Sequence, residues 1–152
     1  MSELTIRPIS VSDIRAASNL VELLAEYAQE SAINGMPVPM PDWNLYQSLE
    51  DTGGLLIFGA YSDTQLVGFM GANLAYAAQY SATLANTMAF FVAASHRKFG
   101  TGKRLADRMT EEAFQRGASA VAIGAPSESR LAKAAEVLGF KETNRLYLRI
   151  KP

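Results

Sequence analysis

The chain has 152 residues, 49% hydrophobic and 19% charged, with a formal net charge of −1, which fits one globular domain over residues 1–152 and argues against a general nucleic-acid binder. Cysteine is absent and histidine occurs once, so a disulfide framework, a thiol nucleophile and a multi-histidine metal site are excluded and no metal is expected. Residues 1–5 lack the basic and apolar regions of a signal peptide, and no apolar run reaches the roughly eighteen residues of a membrane span, so a cytoplasmic protein without a membrane partner is expected.

In chain order, residues 4–9 (Leu-Thr-Ile-Arg-Pro-Ile) alternate as a short opening strand, with Pro8 tolerable near an edge or an end. Ser10 to Asp13 supply a polar cap and an acidic first turn. Ile14, Ala17, Val21, Leu24 and Ala28 then recur at helical spacing, predicting one long helix to about Ser31. Three alternating prolines within residues 32–41 remove backbone donors and make that segment an extended connection. A short helix is expected over 42–51, with Trp43 and Tyr46 as packing residues.

A hairpin follows: strand 55–61, turn 62–64, strand 65–72. After a polar interval at 77–82, residues 83–93 read as the central strand, irregular near its end. It empties into Ser95-His96-Arg97-Lys98-Phe99-Gly100-Thr101-Gly102-Lys103-Arg104 and then a helix whose apolar face carries Leu105, Ala106, Met109 and Ala113, ending at Gly117. Residues 118–124 predict a buried strand parallel to the central one, because a helix crosses between them. Ser127 or Ser129 caps a helix with Leu131, Ala134, Ala135 and Leu138 as its stripe, Gly139-Phe140 closes it, and 142–150 predicts a last strand with Leu146, Leu148 and Ile150 on one face.

The chemistry concentrates at the loop before the long helix. A glycine-containing turn at a helix N-terminus exposes unpaired N–H groups and about half a positive charge, a setting for phosphate. A Walker loop is excluded because Arg97 stands where its first glycine belongs and Arg104 follows Lys103; Leu105 breaks a dinucleotide fingerprint. Two readings stay open on the residues: glycines that merely shape a connection, and a phosphate cradle written Arg97-x-x-Gly100-x-Gly102.

That motif, placed five residues after Val92, resembles the acyl-CoA pyrophosphate motif of the GCN5-related N-acetyltransferase (GNAT) superfamily. The start Leu-Thr-Ile-Arg-Pro, the hairpin with Val67-Gly68-Phe69 on its second arm and the ending Leu138-Gly139-Phe140 extend the resemblance over nearly the whole chain. It implies a mixed, mostly antiparallel α/β sheet with a central parallel strand pair, expected at residues 90–92 beside 121–123, and helices on both faces. It implies N-acetyl transfer from acetyl-CoA to an amine of a small molecule or peptide. Cofactor contacts are expected at Phe90, Phe91, Val92, Arg97, Lys98, Phe99, Gly100, Thr101, Gly102 and Lys103, with an oxyanion donor near Phe91 and Val92.

One departure is plain: the family's tyrosine four residues before the Gly-Phe pair, acid to the leaving thiolate, is Ala135 here, and Glu128 stands where an asparagine often touches the cofactor. His96, Glu26, Glu30, Asp42, Glu128 and Tyr147 are the titratable candidates near a site, each with a structural or surface reading, and no catalytic side chain is assigned. A non-catalytic CoA-binding or protein-interaction member of the same fold is the alternative, and a homodimer is left open.

Overall fold

The structure, a computed structural model, describes residues 3–152. Five strands, β1 (Leu4–Pro8), β2 (Leu55–Ser62), β3 (Gln65–Ala77), β4 (Ala82–Val92) and β5 (Ala120–Ala122), form one sheet in sequence order. The first three neighbouring pairs are antiparallel and β4–β5 is parallel. The helices are α1 (Val11–Arg15), α2 (Leu20–Ser31), α3 (Trp43–Asp51), α4 (Thr101–Gln115) and α5 (Arg130–Ala134).

β2 is buried along nearly its whole length because both faces of the sheet are covered. On one face Leu56, Phe58, Ala60, Met70 and Ala72 pack against Leu105, Ala106, Met109 and Ala113 of α4. The spacing of those four α4 residues is the apolar stripe visible in the sequence. On the other face Leu23 packs with Tyr61, Leu66, Phe69 and Phe91, joined by the half-buried Tyr27 of α2. Arg104 and Arg108 of α4 donate to the Leu4 and Ile6 carbonyls, tying the helix to β1 at the sheet edge.

Four sequence expectations are corrected. The single long helix is two: Ser10 starts α1 through a reciprocal capping box with Asp13, but the chain turns at residues 16–19. The Asn19 amide there donates to the Leu66 carbonyl at 2.8 Å, so the side chain serves β3 and not a continuing helix. The parallel pair joins Leu84–Asn86 to Ala120–Ala122, not residues 90–92 to 121–123. Ala72 faces Thr87 while Gly71 faces Ala89, so Met88 is an extra residue in β4, and such a bulge increases twist and bends the strand. β4 stays paired with β3 to Val92, but β4 and β5 do not pair beyond Asn86 and Ala122.

The expected buried strand at 118–124 shrinks to three residues, with Ala118 buried before it and Ala120 and Ala122 exposed. The expected last strand at 142–150 is absent: these residues are exposed coil, with Leu146 84% and Tyr147 81% accessible. Alternation needs a sheet edge to pair with, and the short β5 offers three residues of edge. The tail instead runs toward the 32–41 connection, where Ile150 Cδ1 lies 2.8 Å from the place a Cβ on Gly35 would take.

Candidate active site

The site follows from the divergence of β4 and β5. Past the bulge, β4 continues through Phe90, Phe91 and Val92 with β3 on one side and no strand on the other. A cleft of about 760 Å³ occupies that opening. Its floor is β4 from Thr87 to Val92, one wall is Gly100, Gly102 and Lys103 at the start of α4, and the other is Gly124, Pro126, Ser129 and α5. The size falls in the range of ligand sites, about 300–1,000 Å³.

A tight turn, Ala94–Phe99, delivers the chain from β4 to α4, and Gly100 then takes a left-handed conformation, φ +68°. A side chain in that region is strained, which accounts for a glycine here. No side chain caps α4, so its first N–H groups face the cleft with the positive end of the helix dipole behind them. At Gly102 an added Cβ would meet only Phe90, at 3.8 Å, so the helix start itself does not require glycine for packing. Thr101 is fully buried and donates its hydroxyl to the His96 carbonyl at 2.7 Å, locking the turn to the helix.

Seven of the ten residues expected at the cofactor line this cleft: Phe90, Phe91, Val92, Arg97, Gly100, Gly102 and Lys103. Lys98, Phe99 and Thr101 do not, and Phe99 is 74% exposed. The basic residues are not equivalent. Arg97 Nε donates to the Val92 carbonyl at 2.7 Å, its guanidinium pairs with Glu30 and lies 5.5 Å from the Phe91 ring centre. It is a brace between α2 and the end of β4. Lys103 pairs with Asp107 one turn along α4.

Sequence reasoning missed the cations of the opposite wall. Arg130 and Lys133 line the cleft from α5, and neither joins a salt bridge among the described residues. The signal was present: two basic residues three apart on the first turns of a helix capped by Ser129, whose Oγ accepts from Ala132 N.

A second cavity, about 60 Å³, lies on the α2–α3 side of the sheet between Ile14, Leu24, Trp43, Tyr46, Ile57 and Phe69. Tyr27, Met88 and Ala89 line both cavities, so the two lie side by side at the β4 bulge with these residues between them. Tyr27 stacks edge-on against Phe69 and Phe91, with ring centres 5.4 and 5.7 Å away. Trp43 and Tyr46 thus pack against each other and also border a cavity. Burial, then the neighbouring Tyr27 and Asp42, pushes the Tyr46 phenol above its ordinary value of 10.0. The hydroxyl of Thr87, at the cleft floor, is buried without a partner.

None of the titratable candidates from the sequence is a free group at this junction. His96 Nδ1 is 2.8 Å from the Ser95 hydroxyl and lines neither cavity. Glu30 is paired with Arg97, and Asp42 caps α3 by accepting from Leu45 N. Glu26 and Glu128 line neither cavity, and Tyr147 lies on the exposed tail. Ala135 offers no hydroxyl from α5. Among the described residues no three of the histidine, aspartate and glutamate side chains cluster as a metal site, and no helix is long and apolar enough to cross a membrane.

The sequence profile of the Acetyltransferase (GNAT) family matches residues 17–140. No curated protein matches the sequence. Among solved structures, an aminoglycoside acetyltransferase from an uncultured soil metagenomic sample, in complex with sisomicin, superposes with a TM-score of 0.73 at 18% identity over 97% of each chain. The ribosomal-protein-alanine N-acetyltransferase of Brucella melitensis biovar Abortus 2308 gives 0.72 at 21% identity, covering 98% of this chain and 99% of that one. AAC(6')-Iy, in complex with the bisubstrate analogue CoA-S-monomethyl-acetylneamine, gives 0.72 at 20% identity over 99% of each chain. At these identities the likeness is one of fold.

Proposed function

The chain belongs to the acetyltransferase (GNAT) family, and on that premise we propose that it is an N-acetyltransferase moving an acetyl group from acetyl-CoA to an amine of a small molecule or peptide. The observation that carries the reading is the opening between β4 and β5, which ends on the uncapped start of α4. Residues present in the cleft fit the cofactor: its volume of about 760 Å³ suits a pantetheine arm, free backbone of β4 lies along it, and the start of α4 and the cations Lys103, Arg130 and Lys133 stand where phosphates would lie. When bound, acetyl-CoA supplies an activated acyl carbonyl that an amine attacks with release of the thiol.

The chain's own groups divide the remaining work. The N–H groups at the start of α4, with Lys103 on one wall and Arg130 and Lys133 on the other, bind phosphate oxygens. Arg97 acts through Val92 and Glu30: it holds the end of β4 against α2, and so fixes the floor on which the arm lies. Ala93 N bonds the Val67 carbonyl, and in the same register Phe91 turns its backbone toward β3; with the Val92 carbonyl already taken by Arg97, the backbone offered to the arm is the Val92 N–H and, upstream, Phe90. Tyr27 supplies the phenol shared by the two cavities, whereas Ala135, which stands just past α5 at the position of the family's tyrosine, lines neither.

Ala135 also favours a second reading, a member that binds CoA without turnover. Incubation with acetyl-CoA, a thiol reagent and a panel of amines separates the two: amine-dependent thiol release is expected. CoA binding without such release would leave only the binding module. A thermal shift with CoA checks the cleft itself, since a ligand at a hundred times its dissociation constant stabilises by about 2.7 kcal/mol.

A further inference from the structure

We infer that the acceptor is a small amine bearing one apolar group, aromatic or branched aliphatic, and no second positive charge, with that group seated in the cavity beneath α3. The inference rests on the acetyltransferase reading for the identity of the cleft. Because Tyr27, Met88 and Ala89 belong to both cavities, a group filling the smaller one leaves its attached nitrogen at the β4 bulge, facing the larger.

The lining sets the chemistry. Ile14, Leu24, Ile57 and Phe69 are apolar, Trp43 and Tyr46 meet edge-to-face at 6.1 Å, and no carboxylate borders the space. An aromatic ring adds to such an arrangement with the offset or edge geometry that ring quadrupoles favour. The size limits the group: a cavity of about 150 Å³ takes a whole benzene ring, so about 60 Å³ receives the edge of a single ring or a branched alkyl group and not a multi-ring sugar. The raised Tyr46 phenol is a further mark of the same dry surroundings.

A polycation finds no carboxylate on the lining of the smaller cavity. Those around α3 stand outside it, their oxygens directed to local hydrogen bonds: Glu50 accepts from Val11 N and from Gln47, Gln47 also bonds Asp51, and Asp42 caps its helix. Glu30, at the cleft, is bound to Arg97. The cation of the region is Arg15, 5.7 Å over the Trp43 ring, where it opposes a second ammonium. A free ammonium desolvated here without a partner costs more than the contacts return.

Trp43 is the sole tryptophan, so occupancy is read directly and apart from turnover. The full chain with CoA is titrated with 2-phenylethylamine, isobutylamine, spermidine and sisomicin while tryptophan fluorescence is followed, and thiol release from acetyl-CoA is measured with the same four amines. Quenching by the two apolar amines is expected, with kcat/KM at least tenfold above that for spermidine or sisomicin. Leu24→Ala and Ile57→Ser should each raise KM for 2-phenylethylamine about tenfold and leave CoA affinity within twofold, which also shows the variants folded. Faster turnover of spermidine or sisomicin overturns the substrate class and leaves the acetyltransferase reading standing. Quenching by apolar amines without thiol release from any amine supports the pocket and overturns catalysis. Absence of quenching by the apolar amines, or KM unchanged in both variants, overturns the inference.

Discussion

The two walls of the cleft are built differently. The α4 wall stands on Leu105, Met109 and Ala113, each fully buried under the sheet, and two arginines fasten the helix to β1. The α5 wall has no buried residue, follows a three-residue strand with two exposed positions, and leads into an exposed tail. The difference teaches how such a site divides its labour. Phosphate recognition by backbone demands a helix start held within fractions of an ångström, whereas screening and charge need only a wall that closes over the ligand.

Stability should separate the walls most sharply. Met109→Ala removes a side chain that is 0% exposed and should destabilise by about 2–5 kcal/mol, the usual range for a core methionine. Leu148→Ala, on the half-exposed tail, should change stability by less than about 0.5 kcal/mol. Chemical denaturation of both variants measures the contrast, and comparable losses would show that the tail is packed as tightly as the core.

Ligand binding should reverse the weight of geometry and charge. Gly102→Val places a branched side chain at the mouth of the cleft, where the wild type leaves space beyond Phe90. It should lower CoA affinity more than tenfold in calorimetric titration while circular dichroism stays native. Arg130→Ala and Lys133→Ala should each lower it less, and less again at high salt, because exposed charges are screened over about 8–10 Å at moderate ionic strength. Equal affinity for wild type and Gly102→Val would remove the α4 start from the site.

Amide exchange sharpens the comparison in time. Residues 101–116 should already be protected without ligand, and residues 126–138 should exchange fast and gain the larger protection when CoA binds, since few buried contacts mean low local opening energies. Mass spectrometry of the exchanged peptides with and without CoA reads both segments in one experiment. A larger gain at 101–116 than at 126–138 would invert the proposed division.

The same contrast explains what the sequence made legible. The α4 stripe, the hairpin and the Gly100–Gly102 turn are local patterns, readable from spacing because each is completed within a few residues. The irregularity expected near the end of 83–93 is there as the bulge at Met88, but its exact place is a property of how two strands match, and the parallel register shifts with it. The expected last strand does not form because alternation at Leu146, Leu148 and Ile150 states a preference that only a partner edge can satisfy. Asn19 broke the first helix through a bond to Leu66, 47 positions away. The apolar second cavity is illegible in the sequence for the same reason, its lining being gathered from α1, α2, α3 and three strands.

The smallest effect tests whether the firm wall depends on its brace. Glu30 is 40% exposed and Arg97 18% exposed, so the ion pair is partly solvated and its net worth is about 0–1 kcal/mol. Glu30→Gln keeps the size and an acceptor oxygen, and should cost less than about 1 kcal/mol. Arg97→Ala removes the donor to the Val92 carbonyl as well, and leaving a buried carbonyl unpaired costs about 1–3 kcal/mol. The ordering follows from where each bond sits: Glu30 neutralises a charge, while Arg97 Nε satisfies backbone at the end of β4. Denaturation of the two variants therefore ranks Arg97→Ala above Glu30→Gln, and the reverse ranking would make the charge pair, not the backbone bond, the element that holds the floor of the cleft.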